Sequence, residues 1–269
     1  MRFRPGVVLG AALACLAVFS AGQARAAADV HRLNLVISGM PTSVHGGDFN
    51  DAIDRYNQQQ LDPIGYDRLK QLSFTWLFDA ELRYFVRPNF AVTAGVSHMR
   101  VSEKKEFLPA LSEGVNVNAE ILTVPVHVGA AFYLQPYNQG DFQARAYFGG
   151  GMIQYSHTRA NFTQTLSMVN YDSSFVATWG GDYEYSLTQD APGYYLEFGT
   201  HMFFASRFSA LVSLEYRSGV LRGMRLYSSE VNGVPSPAPP YSPVYNPDGT
   251  AFTVDVSGVG VRMGVGFGF

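Results

Sequence analysis

The chain has 269 residues, one cysteine, and 19 basic against 22 acidic residues, a formal net charge of -3, with 47% hydrophobic and 14% aromatic residues. An acidic balance argues against nucleic acid, whose binding proteins carry a basic face. The length suits one large domain or two small ones.

Residues 1–26 place Arg2 and Arg4 ahead of an apolar stretch over 7–19 and close on Ala24, Arg25 and Ala26. A charged start, a short apolar middle and an A-x-A ending predict a secretory signal peptide, cleaved after Ala26 or Ala28. The apolar run is too short for a membrane helix, which needs ~20 residues, and no later stretch approaches that length. Cys15 lies inside this leader, so the expected mature chain, 27–269, has no thiol chemistry. Cleavage removes Arg2, Arg4 and Arg25 and no acid, leaving 16 basic against 22 acidic residues, a net of -6.

Eight later segments alternate apolar with polar or small residues, the period of a strand with two unlike faces. In chain order they cover 31–38, 72–86, 90–97, 119–134, 142–155, 194–204, 208–217 and 258–269. The second sets Phe74, Trp76, Phe78, Leu82 and Tyr84 against Asp79, Glu81 and Arg83, and the fourth sets Val124, Val126, Val128 and Phe132 against Thr123, Pro125 and His127. Each is about as long as a tilted membrane strand, which needs ~9 to 11 residues. Connections alternate between long (39–71, 102–118, 159–192, 226–251) and short (87–89, 135–141, 205–207). A bilayer leaves no water for unpaired backbone groups, so spanning strands must close on themselves. The expected fold is therefore all-β: a transmembrane antiparallel up-and-down barrel of eight strands with short periplasmic turns and long extracellular loops.

The run TVPVHVGAAFYL followed by FQARAYFGGGMIQY resembles the small eight-stranded outer-membrane β-barrel family, the broad group that includes the OmpA membrane domain, OmpX and OmpW. Phe269, ending a strand with Val265 and Phe267 on the same face, is similar to the C-terminal assembly signal of such barrels. The resemblance implies the outer membrane of a Gram-negative cell, contact with its lipids and lipopolysaccharide, and recognition by the barrel-assembly machinery. It implies a fold and a location more than an activity.

Facing assignments put Arg32, Asp79, Glu81, Arg83, His127, Arg145, Glu197, His201, Glu215, Arg217 and Arg262 in the lumen. An eight-stranded barrel is filled by its own side chains, and buried charges need partners. A salt-bridged plug is expected, with a narrow channel for small or apolar solutes as the alternative. Asp79, His127, Glu197, Glu215 and Arg262 count to similar depth, with Arg83, Arg145 and His201 nearer the periplasm.

No catalytic, cofactor or metal residues are expected. The stretch EYRSG, 215–219, distantly resembles the His-x-Ser strand motif of lipid A deacylases, which keeps a lipopolysaccharide-modifying acyl hydrolase as a further alternative. There Arg217 stands where a base is wanted, and a guanidinium cannot accept a proton. Glu197 and His201 share a strand face without a serine at their depth. His98, His127, His157 and His201 have no local ligand spacing and no paired carboxylate. The NPDGT stretch, 246–250, is a turn rather than a calcium loop.

Among the loops, 46–60 changes to helical spacing, with Phe49, Ala52, Ile53 and Tyr56 on one face and Asp48 and Asp51 near its start, a cap over the barrel mouth. The run DYEYSLT, 182–188, is expected to prolong a hairpin beyond the membrane. The proline-rich 234–249 is extended and stiff, a spacer or a contact surface for an extracellular ligand.

Overall fold

Alternation turns into a closed wall. The computed structural model describes residues 31–110, 113–168, 181–204 and 207–269, so the expected leader lies outside it. In chain order its elements are β1 (Leu33–Ser43), α1 (Asp48–Tyr56), β2 (Phe74–Arg87), β3 (Phe90–Ala110), β4 (Glu113–Tyr133), β5 (Tyr137–Gln139) and β6 (Phe142–Met168). They continue with β7 (Tyr183–Thr188), β8 (Ala191–Phe203), β9 (Phe208–Ser218), β10 (Val220–Arg222), β11 (Arg225–Val231), β12 (Val234–Pro235), β13 (Thr253–Asp255) and β14 (Gly258–Gly268).

Antiparallel ladders run β1–β2–β3–β4–β6–β8–β9–β14, and β14 returns to β1 through pairs such as Ile37 with Val265, closing an eight-stranded barrel. Closure removes the sheet edges, whose unpaired backbone groups no bilayer could satisfy. At the turn end, the short β5 pairs with β6, Tyr137 opposite Ala144.

Several boundaries depart from the sequence reading. The first strand starts at Leu33 and runs on to Ser43, so Arg32 precedes the ladder; its side chain is exposed and its carbonyl accepts from the Phe85 amide at 2.7 Å. Of residues 102–118, expected as a long loop, 102–110 instead continue β3 and 113–118 begin β4, paired with one another, with Ser102 opposite Glu120 and Phe107 opposite Val115. DYEYSLT supplies β7, which pairs with β6 and then with β11, raising the wall above the eight staves.

The loop end holds a large apolar core. Phe49, Ile53 and Tyr56 of α1 pack there with Leu61, Leu69 and Leu72 and with wall residues including Met99, Ile121, Leu187 and Val254. The helix gives way to a π turn over Asn57–Leu61, which returns the chain to β2. Two buried asparagines pin the return. Asn50 accepts from the Leu72 amide at 2.8 Å and donates to its carbonyl at 3.0 Å, and Asn57 does the same for Leu69 at 2.9 Å each. Asn246–Thr250 is closed as a turn by the Asn246 amide on the Thr250 carbonyl at 2.8 Å.

Candidate functional site in the barrel interior

Strand parity decides which residues meet. Outside, Phe78 (60% exposed), Val128, Phe148, Leu196, Leu214 and Val265 belong to a continuous apolar belt. Inside, ten of the eleven charged residues assigned to the lumen are buried: Asp79, Glu81, Arg83, His127, Arg145, Glu197, His201, Glu215, Arg217 and Arg262. Arg32 is the exception, because it lies below the first ladder pair.

Six of them form one group. Arg83 reaches Glu81 at 2.5 Å and Glu197 at 3.0 Å. Arg262 holds Asp79 and lies 3.4 Å from Glu81 and 3.5 Å from Glu197. His127 meets Asp79 at 2.9 Å. Neutral groups take the remaining valences: Ser97 donates to Asp79 at 2.7 Å, Tyr147 to Glu197 at 3.0 Å, and Arg262 donates to Ser38 at 2.8 Å. Three carboxylates facing two guanidiniums and an imidazole, with the lone pairs filled, satisfy the condition under which buried charge is tolerated.

The other four stand apart from this group. Arg145 donates to Gln143 at 2.7 Å and to the Pro88 carbonyl at the turn end, and makes no ion pair with an acid among the described residues. Arg217 donates to Thr42 at 2.7 Å and to the Ser43 carbonyl at 3.2 Å, and its Nε is buried without a partner. Glu215 stands directly opposite Glu197 across the ladder and makes no hydrogen bond or ion pair among the described residues. A cavity of about 20 Å³ beside it, lined also by Arg217, Tyr195 and His127, has room for about one water.

His201, wholly buried, makes a contact that sequence reasoning missed: its Nε2 lies 2.9 Å from Ser209 Oγ, and its Nδ1 lies 3.2 Å from the Tyr133 hydroxyl. The serine is on the next strand, facing inward two residues nearer the turn than Leu211, the ladder partner of His201. Among the described residues no acid orients the imidazole, and Glu197 is held by Arg83.

The histidine reading also needs correcting. Paired carboxylates do accompany His127, since Asp79, Glu81 and His127 bring ligand atoms within 4.8 Å of one another. The row across β2, β3 and β4 reads Glu81, Gly95, His127. Gly95 has no side chain, so the imidazole crosses it; a Cβ there would collide with His127 Nε2. That glycine between two titratable residues is the signal that would have revealed the contact. Arg262 sits on both carboxylates, so a guanidinium holds the place a cation would take.

Val265, Phe267 and Phe269 lie exposed on the outer face of the last strand, where Phe267 meets Phe208 edge-on at 5.0 Å.

A closed eight-stranded antiparallel wall, apolar outside and polar inside, defines a transmembrane up-and-down β-barrel. No family model matches the chain, and no curated protein does. Among solved structures it is similar to the N-terminal β-barrel domain of Pseudomonas aeruginosa OprF, at 11% identity and a TM-score of 0.34, over 90% of this chain and all of that one. It is also similar to Ail, the attachment invasion locus protein of Yersinia pestis, in complex with the heparin analogue sucrose octasulfate (14%, TM-score 0.35, over 87% and 96%). A third is the outer membrane protease OmpT of Escherichia coli (9%, TM-score 0.31, over 92% and 99%). At such scores the likenesses carry no weight for function.

Proposed function

We propose that the chain is an integral outer-membrane barrel whose lumen is closed by its own charges, and that it acts without catalysis, as a structural or surface-interaction protein through its loop end. One observation carries this reading. The same strands present lipid-compatible residues outward and a nearly saturated ion-pair group inward, with Arg262 bridging three carboxylates on two other strands. A path for hydrated solutes would have to break those contacts. The test is single-channel recording on the folded protein in a planar bilayer, with folding verified by a heat-dependent gel shift. Silence is expected, and discrete conductance steps would sink the plug.

A second reading, handling of small apolar solutes, draws on an open cavity of about 460 Å³ at the mouth, lined by Phe49, Arg55, Tyr56, Phe162, Tyr183 and Phe252. An acyl hydrolase built on Ser209 and His201 is the third. Ser209 is only 3% exposed, buried at the turn end of the lumen, which leaves an ester little access; released acyl chains on incubation with lipopolysaccharide would establish it.

A further inference from the structure

Above the belt, on the outer wall, a cavity of about 370 Å³ opens between β4, β6 and β11. Its floor is Leu122 and Val124, the last apolar residues of the outward row of β4 before Glu120. Its walls include His157, Arg159, Tyr227 and Tyr241. The site therefore sits where acyl chains end and headgroups begin.

The wall is built irregularly here. The β4–β6 ladder slips between Leu122 and Val124, and His157 takes a left-handed φ of 53°. A non-glycine residue rarely adopts that conformation, and such outliers gather at functional sites. Through the bulge, both His157 and Arg159 are exposed while Tyr155 and Thr158 stay inside.

The charges are unpaired. Arg159 lies over the Tyr227 ring, 4.1 Å from its centroid, and makes no hydrogen bond or ion pair among the described residues. Thr188 pairs with Arg159 on one side and Arg225 on the other, so two exposed arginines flank one residue of the ladder. The two arginines stand two strands apart, about 10 Å along the ladder, a span their long side chains can close around one anion. Asp190 lines the cavity as the opposing charge, and with Thr188 offers oxygen acceptors for hydroxyl groups.

We infer that this cavity binds a phosphorylated glycolipid of the surrounding leaflet. The phosphate lies with Arg159 and Arg225, the sugar ring lies against Tyr227 and Tyr241, sugar hydroxyls donate to Asp190, and an acyl chain follows Leu122 and Val124. Arginine suits this role because its fork engages two phosphate oxygens at once. The inference rests on the outer-membrane reading proposed above.

The test uses the full-length protein extracted from membranes in detergent and titrated with lipid A, with dephosphorylated lipid A and with inorganic phosphate, the heat-dependent gel shift being read on the same samples. Lipid A is expected to bind, and removing its phosphates, or introducing R159Q with R225Q, to weaken it about 10- to 100-fold, the worth of a charged hydrogen-bonded contact. K104Q, an exposed cation elsewhere, leaves binding unchanged, and R159Q alone, on an exposed side chain, guards against misfolding of the double variant. Equal binding by wild type and variants, equal binding of the dephosphorylated lipid, or inorganic phosphate binding as tightly as lipid A would each overturn the inference. A wild-type chain with no heat-dependent shift would instead overturn the barrel reading beneath it.

Discussion

Strands β3 and β4 pass through two different environments, and their side chains invert between them. Within the belt, β3 turns Val92 and Val96 outward and Thr93 and Ser97 inward. A few residues on, Met99, Val101 and Phe107 face inward, while His98, Arg100 and Lys104 face out. The same happens in β4, where Val115, Val117 and Ile121 are inside above the belt and Val126 and Val128 are outside within it. Backbone geometry is continuous across the change, and the register from Val101–Ile121 to Phe107–Val115 is unbroken. What changes is the solvent on the outer face. Against lipid the wall is apolar outside and the interior must satisfy charge with charge; against water the interior can be an ordinary apolar core.

The sharpest way to break this comparison is to remove the centre of the lower interior. R262A leaves Asp79, Glu81 and Glu197 short of a shared cation, and stranding a buried ion costs about 3–5 kcal/mol. The temperature at which the folded gel band is lost should fall steeply, and an unchanged temperature would show that the carboxylates do not depend on Arg262.

Next in size is a charge on the outer face. Val128 is 57% exposed in the belt. V128R is expected to cost about 2–4 kcal/mol in lipid, the value for a cation near the bilayer midplane. Asn118 lies on the same outward row above the belt, and N118R should cost almost nothing. Equilibrium unfolding from lipid vesicles measures both, and equal costs would refute a lipid boundary between them.

The inversion also explains what could and could not be read from the sequence. Every stave of the wall announced itself by alternation, because one unbroken phase of apolar residues ran through each belt segment. Residues 102–118 did not, since the apolar positions move from even to odd near Met99 and the alternation looks lost where it has only changed face. Arg32 shares the parity of inward Asn34 and Val36, yet the ladder begins after it, and parity holds no information about where pairing starts. Which charges pair depends on register between strands distant in sequence. Position along the strands puts Arg83 nearer the periplasm than Glu197, and its long side chain spans that difference. Ser209 escaped notice as a partner of His201 because depth counted from strand ends misses a contact made across a turn. The helix over 48–56 was legible, because its four apolar residues keep helical spacing and Asp48 and Asp51 lie in its first turn.

The smallest effect expected lies at the start of that helix, in the watery half of the comparison. Asp48 Oδ2 accepts from the Asn246 side chain at 2.8 Å and from the Thr253 amide and hydroxyl at 2.8 and 2.9 Å. Partial burial pushes its carboxyl up, but these donors, with Arg55 nearby, outweigh it and hold the group below its ordinary value of 3.8. A depressed folded pKa stabilises the ionised form, so the contribution is complete above the unfolded value and disappears as pH falls through the folded one. Hydrogen-exchange protection of α1 should therefore be flat from about pH 7 to 5 and decline below about pH 4. D48A removes both the anion at the helix start and its link to β13, at a cost of roughly 1 kcal/mol in local stability given its exposure, and it should lose the Asp48 part of the acid decline. The barrel's heat-dependent gel shift should not move with it, since the link ties loop to loop and touches no stave; a parallel fall in both would mean that the two halves unfold as one.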